Sequence, residues 1–138
     1  MTYKLILVPI LALVIAQLIK IIIDSVRGQF SWSSINKYGG MPSSHSAAVS
    51  ALATEIGMLS GWFSPAFAIA LLFAFITIRD AVGLRQYLGN HGKVLNMLIK
   101  DLPDYKEDKY PYLEERLGHT PLQALAGIVL GILIAIII

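Results

Sequence analysis

The chain has 138 residues, 56% hydrophobic and only 14% charged, whereas a soluble domain carries roughly 25% charged residues. A formal net charge of +2, without basic clusters interleaved with aromatics, offers no basis for nucleic-acid binding, and the absence of cysteine excludes disulfides, thiol catalysis and cysteine metal sites. Composition points to an integral membrane protein, and its closely spaced apolar runs leave room for one helical domain, 1–138, with no separate soluble one.

A hydrocarbon core about 30 Å thick calls for about 20 apolar residues in a helix. The first such run, Leu5 to Ile23, carries Gln17 and Lys20 and lacks a small-residue cleavage site, so it reads as a retained span. The second, Ser46 to Leu59, is short and carries Thr54 and Glu55, which predicts a position inside the bundle. An ionised carboxylate in mid-span costs about 2.5–3.5 kcal/mol on insertion scales, so Glu55 is expected near the interface at the far end of this short span. Gly61 to Pro65 permits only a tight turn, making the third run, Phe63 to Ile78, an antiparallel partner of the second. The fourth run is Pro121 to Ile138.

Between runs three and four lies a polar loop or helix region. His91, beside Asn90 and Gly92, reads there as a solvated loop residue, and Asp101, Asp104 and Asp108 alternate with lysines as in a solvated loop rather than a cation site. The expected fold is therefore all-α, an integral membrane bundle of about four transmembrane helices. Gly57 with Gly61, and Gly127 with Gly131, are small-residue pairs that allow close helix approach, within one chain or in a homodimer.

Ten of the eleven basic residues, all but Lys4, fall at the end of the first run or in the two long connections: Lys20, Arg27, Lys37, Arg79, Arg85, Lys93, Lys100, Lys106, Lys109 and Arg116. The positive-inside rule then puts both connections in the cytoplasm and both termini outside the cell membrane.

The stretch "GGMPSSHSA", Gly39 to Ala47, opens the second run: Pro42 suits a first helical turn and the serines can cap it. The same grammar recurs in "LGHTPLQ", with Thr120 as N-cap and Pro121 as first helical residue. His45 and His119 thus stand at two helix starts facing the cytoplasm. Each start brings unpaired N–H groups and about half a positive charge, so two together form an anion site. The first and third runs end on the same side, delivering Lys20, Arg79, Asp80 and Arg85 to it. Two histidines, cations and backbone donors beside a bilayer are what phosphate-ester chemistry on a lipid requires.

"PSSH" resembles the proline-serine-glycine-histidine motif of the type 2 phosphatidic acid phosphatase and vanadium haloperoxidase superfamily. With "DAVGLR" and "LGHTPLQALAG" following in order among four apolar spans, nearly the whole chain resembles the small divergent membrane branch of that group. Lys20 to Arg27 matches the spacing of the superfamily's first motif, with Gly28 in place of proline. Its third motif, arginine, five residues, histidine, three residues, aspartate, has two partial matches: Arg85 and His91 with Leu95 at the aspartate position, and His119 with Gln123 one turn on. His119 is favoured because it begins a membrane helix.

The resemblance implies metal-independent hydrolysis of a lipid phosphomonoester, with no cofactor. His119 would be the nucleophile and His45 the acid and base, while Asp80 or Glu115 would be the carboxylate that stabilises the imidazolium. Lys20, Arg79, Arg85, Ser43, Ser44 and Gln123 would hold the substrate. Phosphatidylglycerophosphate fits a cytoplasmic site; prenyl phosphates and phosphatidic acid are the other candidates. Two readings compete with this one: a non-catalytic protein that binds or moves a phosphorylated lipid, and a structural membrane subunit.

Overall fold

The computed structural model describes residues 3–28, 40–103, 110–115 and 117–138. Lys37, Gly39, Asp104, Lys106, Asp108, Lys109 and Arg116 lie outside the described residues. Within them the chain is all-α, with helices α1 (Lys4–Val26), α2 (Ser44–Ser60), α3 (Pro65–Val82), α4 (Leu84–Lys100) and α5 (Pro121–Ile137), and no strand. Lys4–Val26 and Pro65–Lys100, the latter containing α3 and α4, are long and apolar enough to cross a membrane; Pro121–Ile137 is a shorter apolar helix.

Local chemistry explains where three of these helices start. Ser43, in extended conformation, accepts from Ser46 N–H and so caps α2. Ser64 caps α3 by accepting from Phe67 N–H at 3.1 Å, with Pro65 supplying a residue that needs no amide partner. Thr120 and Pro121 repeat this at α5. Pro42 stands one residue before the cap of α2, outside the first turn where the sequence placed it. Between α2 and α3 the chain turns at Gly61, and Trp62 packs edge-on against Phe67 with ring centroids 5.2 Å apart. The region after α3 is not a loop around His91: Leu84–Lys100 is helical, and His91 is exposed on it.

Helix α2 is central, packed against α1, α3 and α5. Apolar side chains gain nothing by exchanging lipid for another apolar surface, so helices in a bilayer associate through close packing and hydrogen bonds. The composition of α2 suits this. Ala47 and Ala51 meet Val8, Ala12 and Ala16 of α1 in one buried cluster, while Val49 and Ala53 meet Ala70 and Ala74 of α3 in another. The buried hydroxyls are satisfied locally: Ser50 bonds back to the Ser46 carbonyl and Thr54 to that of Ser50 at 2.8 Å. Ser50 also reaches the Ile128 carbonyl of α5 at 3.3 Å. Central placement leaves Glu55 enclosed at 2% exposure, with one carboxylate oxygen lacking a hydrogen-bond partner.

Along α5, Gly127 and Gly131 lie directly on the Ser43 and Ala47 carbonyl oxygens of α2, so this small-residue pair is used within the chain. The four-residue step on both helices makes α2 and α5 parallel. At the opposite end Lys4 Nζ donates to the Ile138 carbonyl at 2.7 Å, bringing the start of α1 and the end of α5 together. A leucine side chain at Gly131 would overlap the Ala47 carbonyl. Gly131→Leu should therefore lower stability by at least about 1–3 kcal/mol, read as a lower unfolding midpoint in micelles; an unchanged midpoint would break the α2–α5 seam described here.

Candidate active site

At the end of the bundle away from Lys4 and Ile138, the starts of α2 and α5 are joined by a backbone hydrogen bond, Ser43 N–H to the Gln123 carbonyl at 3.1 Å. Two helix N-termini, each with free amides and a partial positive charge, thus lie side by side. Ser43 is fully buried between them, its oxygen accepting from both the amide and the hydroxyl of Ser46. It therefore supports the site from beneath. Ser44 and His45 follow in the first turn, Ser44 half-buried and His45 exposed.

His119 immediately precedes the α5 cap. Its backbone N–H donates to the Ala81 carbonyl of α3 at 2.9 Å, and its ring Nδ1 lies 3.2 Å from the Gly40 carbonyl. With Nδ1 donating its proton to that carbonyl, Nε2 keeps a lone pair. Gln123 completes a capping box through reciprocal bonds: its backbone N–H donates to the Thr120 hydroxyl oxygen at 3.3 Å, and its side-chain Oε1 accepts from Thr120 N–H at 3.0 Å. Gln123 also lies within electrostatic reach of the imidazole. Burial holds the His119 pKa below the ordinary histidine value, and the charges of His45 and Lys20 add to this, while the Gly40 carbonyl and Gln123 oppose it.

Lys20 is only 8% exposed in α1 and packs against Gly40. It lies within electrostatic reach of both His45 and His119. Gly40 has φ +92°, and a Cβ there would stand 2.7 Å from Lys20 Cε, so the residue that orients His119 must be glycine for both backbone and space. Across the α3–α4 junction, Arg85 Nε donates to Asp80 Oδ2 at 2.7 Å, and both charges act on His45. Lys20, His45, Asp80, Arg85, His119 and Gln123 are therefore gathered at one end of the bundle. Arg79, one position before Asp80, is exposed on a different face of α3. Arg27 is exposed beyond the end of α1.

The Arg85-to-His91 spacing falls within the single helix α4, where six residues rotate the side chains about 120° apart at 3.6 residues per turn. The two thus point from different faces. Helix α4 instead supports the segment leading to His119. Asn96 pairs with the Leu113 backbone, accepting from its N–H at 3.0 Å and donating to its carbonyl at 2.9 Å. Gly89 and Gly92 let the Glu114 and Glu115 carbonyls lie against the helix, and Gly118, with φ +85°, packs on the Gln86 amide and the Ala81 carbonyl. Glu115 is engaged by the Tyr112 hydroxyl at 2.6 Å and the Asn96 amide at 2.9 Å, which hold its carboxyl below the usual range. It belongs to this strap and not to His119. Asn96, the Gly40 carbonyl and the Ala81 carbonyl were not read from the sequence; the "GG" before "MPSSH" is the one local signal that flagged special backbone there.

The direction of the His119 shift fixes a pH dependence. Its folded pKa lies below the unfolded value of 6.5, so the fold favours the neutral ring; that stabilisation is complete above 6.5 and is lost as pH falls through the folded value. Histidine NMR in micelles should show His119 titrating below 6.5, and Gln123→Ala should lower the midpoint further. A midpoint at or above 6.5 would contradict the buried setting of the ring.

The family model described as "Divergent PAP2 family" matches residues 1–134. The chain is 39% identical over 139 residues to the "Uncharacterized membrane protein YuiD" of Bacillus subtilis (strain 168), covering 92% of this chain and 88% of that protein. No solved structure matches. On the family model and this relative together, the chain belongs to the divergent PAP2 family.

Proposed function

We propose that this protein is an integral membrane lipid phosphatase, built on four spans (α1, α2, α3 and α5), that hydrolyses the phosphomonoester of a lipid through a histidine nucleophile. The observation that carries the reading is the convergence of His45 and His119 at two adjoining helix starts, with Lys20 and the Asp80-held Arg85 beside them. Phosphoryl oxygens bound there meet backbone N–H groups, a guanidinium and an ammonium, the donors that stabilise charge spread over a transferring phosphoryl group.

In the first step His119 Nε2 attacks phosphorus, the P–O ester bond breaks, and His45 gives its proton to the departing alkoxide. The Gly40 carbonyl, accepting from Nδ1–H, fixes the tautomer and the ring direction. In the second step His45 takes a proton from water as that water attacks the phosphohistidine, releasing inorganic phosphate and restoring His119. Asp80 positions Arg85 and, within electrostatic reach of His45, favours the proton that His45 gives up in the first step and regains in the second. Lys20 and Arg85 are the principal substrate-binding cations, and Ser44 and the α2 amides complete the anion site; Arg79, on another face of α3, stays outside it. Phosphatidylglycerophosphate is the preferred substrate on orientation and family resemblance.

A second reading, binding or transport of a phosphorylated lipid without turnover, draws on one observation: the Gly40 carbonyl bonded to the His119 ring and the neighbouring Gln123 are both neutral. Phosphate release by the purified protein in mixed micelles, without added metal, over a panel of lipid phosphates separates the two. Wild type and His91→Ala should release phosphate, and His119→Ala should lose at least about 10²-fold, the range of a positioned acid–base group or more. Binding without release from any lipid would establish the second reading.

We place the site in the cytoplasm because the basic residues gather at its end of the bundle. The chain has no native cysteine, so a single cysteine replacing Lys100 should react with an impermeant maleimide only from the cytoplasmic side of the membrane. Labelling from outside would reverse the orientation.

A further inference from the structure

Helix α4 carries an apolar face that nothing in the described chain covers. Leu84, Leu88, Leu95 and Leu98 recur at three- and four-residue steps, His91 falls in the middle of the same stripe, and all are exposed. Tyr87 and Val94, also exposed, widen the stripe on one side. The opposite flank holds Lys93 and Lys100, and α4 has no acidic residue. Its third face, with Gly89, Gly92 and Asn96, is occupied by the strap that leads to His119. Among the other helices α4 packs only on α3, and it starts one residue after α3, a helix in a stretch long and apolar enough to cross a membrane, ends.

We infer that α4 lies in the plane of the bilayer interface, its leucine face among the acyl chains and its lysines toward anionic head groups. The charge pattern selects this occupant. A second copy seated on the leucine stripe would meet Tyr87 and Val94 on one flank and Arg85 and Gly92 on the other, positions where a coiled-coil pair places complementary charges. Here the charged member is a cation with no acid on the facing helix. The face is also broader than a two-position coiled-coil seam, as a surface-seeking helix requires, and a basic amphipathic helix without acids is complementary to an anionic leaflet. His91 is then the polar interruption of the lipid-facing stripe. This inference does not use the phosphatase reading, since it concerns a face turned away from the His119 strap.

Single cysteines at residues 86, 88, 91, 93, 95 and 98 of the full chain, spin-labelled and reconstituted in vesicles, test it. Labels at 88, 91, 95 and 98 should be more accessible to oxygen than to a water-soluble nickel chelate, and labels at 86 and 93 the reverse. The contrast should be greater in vesicles containing phosphatidylglycerol than in pure phosphatidylcholine, and Lys93→Gln with Lys100→Gln should remove that difference. High nickel accessibility on both faces would show a helix in water. Spin–spin broadening at 88 and 95 with exclusion of both reagents would show a second copy on the face. Either result overturns the proposal, and neither bears on phosphate release.

Discussion

The hydrogen bond from Ser43 N–H to the Gln123 carbonyl, with Gly127 and Gly131 seated on α2 carbonyls just beyond it, sets the geometry of the rest of the molecule. Helices α2 and α5 are far apart in sequence, and a side chain at either glycine would push them apart. With backbone against backbone, the two helices run parallel and their N-termini fall level. Every group at the candidate site is referenced to that pair: His45 sits in the first turn of one helix, and His119 just before the first turn of the other.

His119 is oriented without a carboxylate. A backbone carbonyl, that of Gly40, accepts from Nδ1, while Gln123, held in the helix cap, lies close enough to favour the ring's proton. Neutral acceptors orient a ring as well as an anion does but offer less to a protonated one. The setting thus keeps the ring neutral near physiological pH, the state a nucleophilic nitrogen needs. In the proposed reaction the proton is carried and released by the more open His45, which has Asp80, Arg85 and Lys20 in electrostatic reach, Asp80 favouring its protonation and the two cations opposing it.

Helix α4 and the described residues of the strap, 110–115 with Leu117 and Gly118, pack together ahead of His119. Asn96 mimics a peptide group, pairing with both the N–H and the carbonyl of Leu113, and the glycines of α4 let an extended backbone lie flat on the helix. The Asp80–Arg85 pair closes the corner between α3 and α4 at the same level. One helix therefore has three duties on three faces: holding the strap, presenting lysines, and displaying leucines.

Much of this was legible in the amino-acid sequence because it rests on local chemistry. Serine or threonine before a helix start, proline at the first helical position, glycine after a helix end and long apolar runs are short-range signals, and they placed α1, α2, α3 and α5 to within a few residues. The pairing of His45 with His119 also followed from local grammar, since equivalent helix starts at one end of an antiparallel hairpin and its parallel neighbour must lie on one side. Helix α4 was less visible: Asn90 and Gly92 read as loop residues around His91, and only the strap packed on Gly89, Gly92 and Asn96 shows why a helix holds small and polar residues there. Tertiary structure alone showed that His91 is exposed on α4, on a different face from Arg85, whereas His119 stands beside the adjoining start of α2. It also decided that a glycine carbonyl orients that histidine and that Glu55 is enclosed. Those outcomes depend on which backbones approach one another across the bundle, and no residue's neighbours in sequence encode that distance.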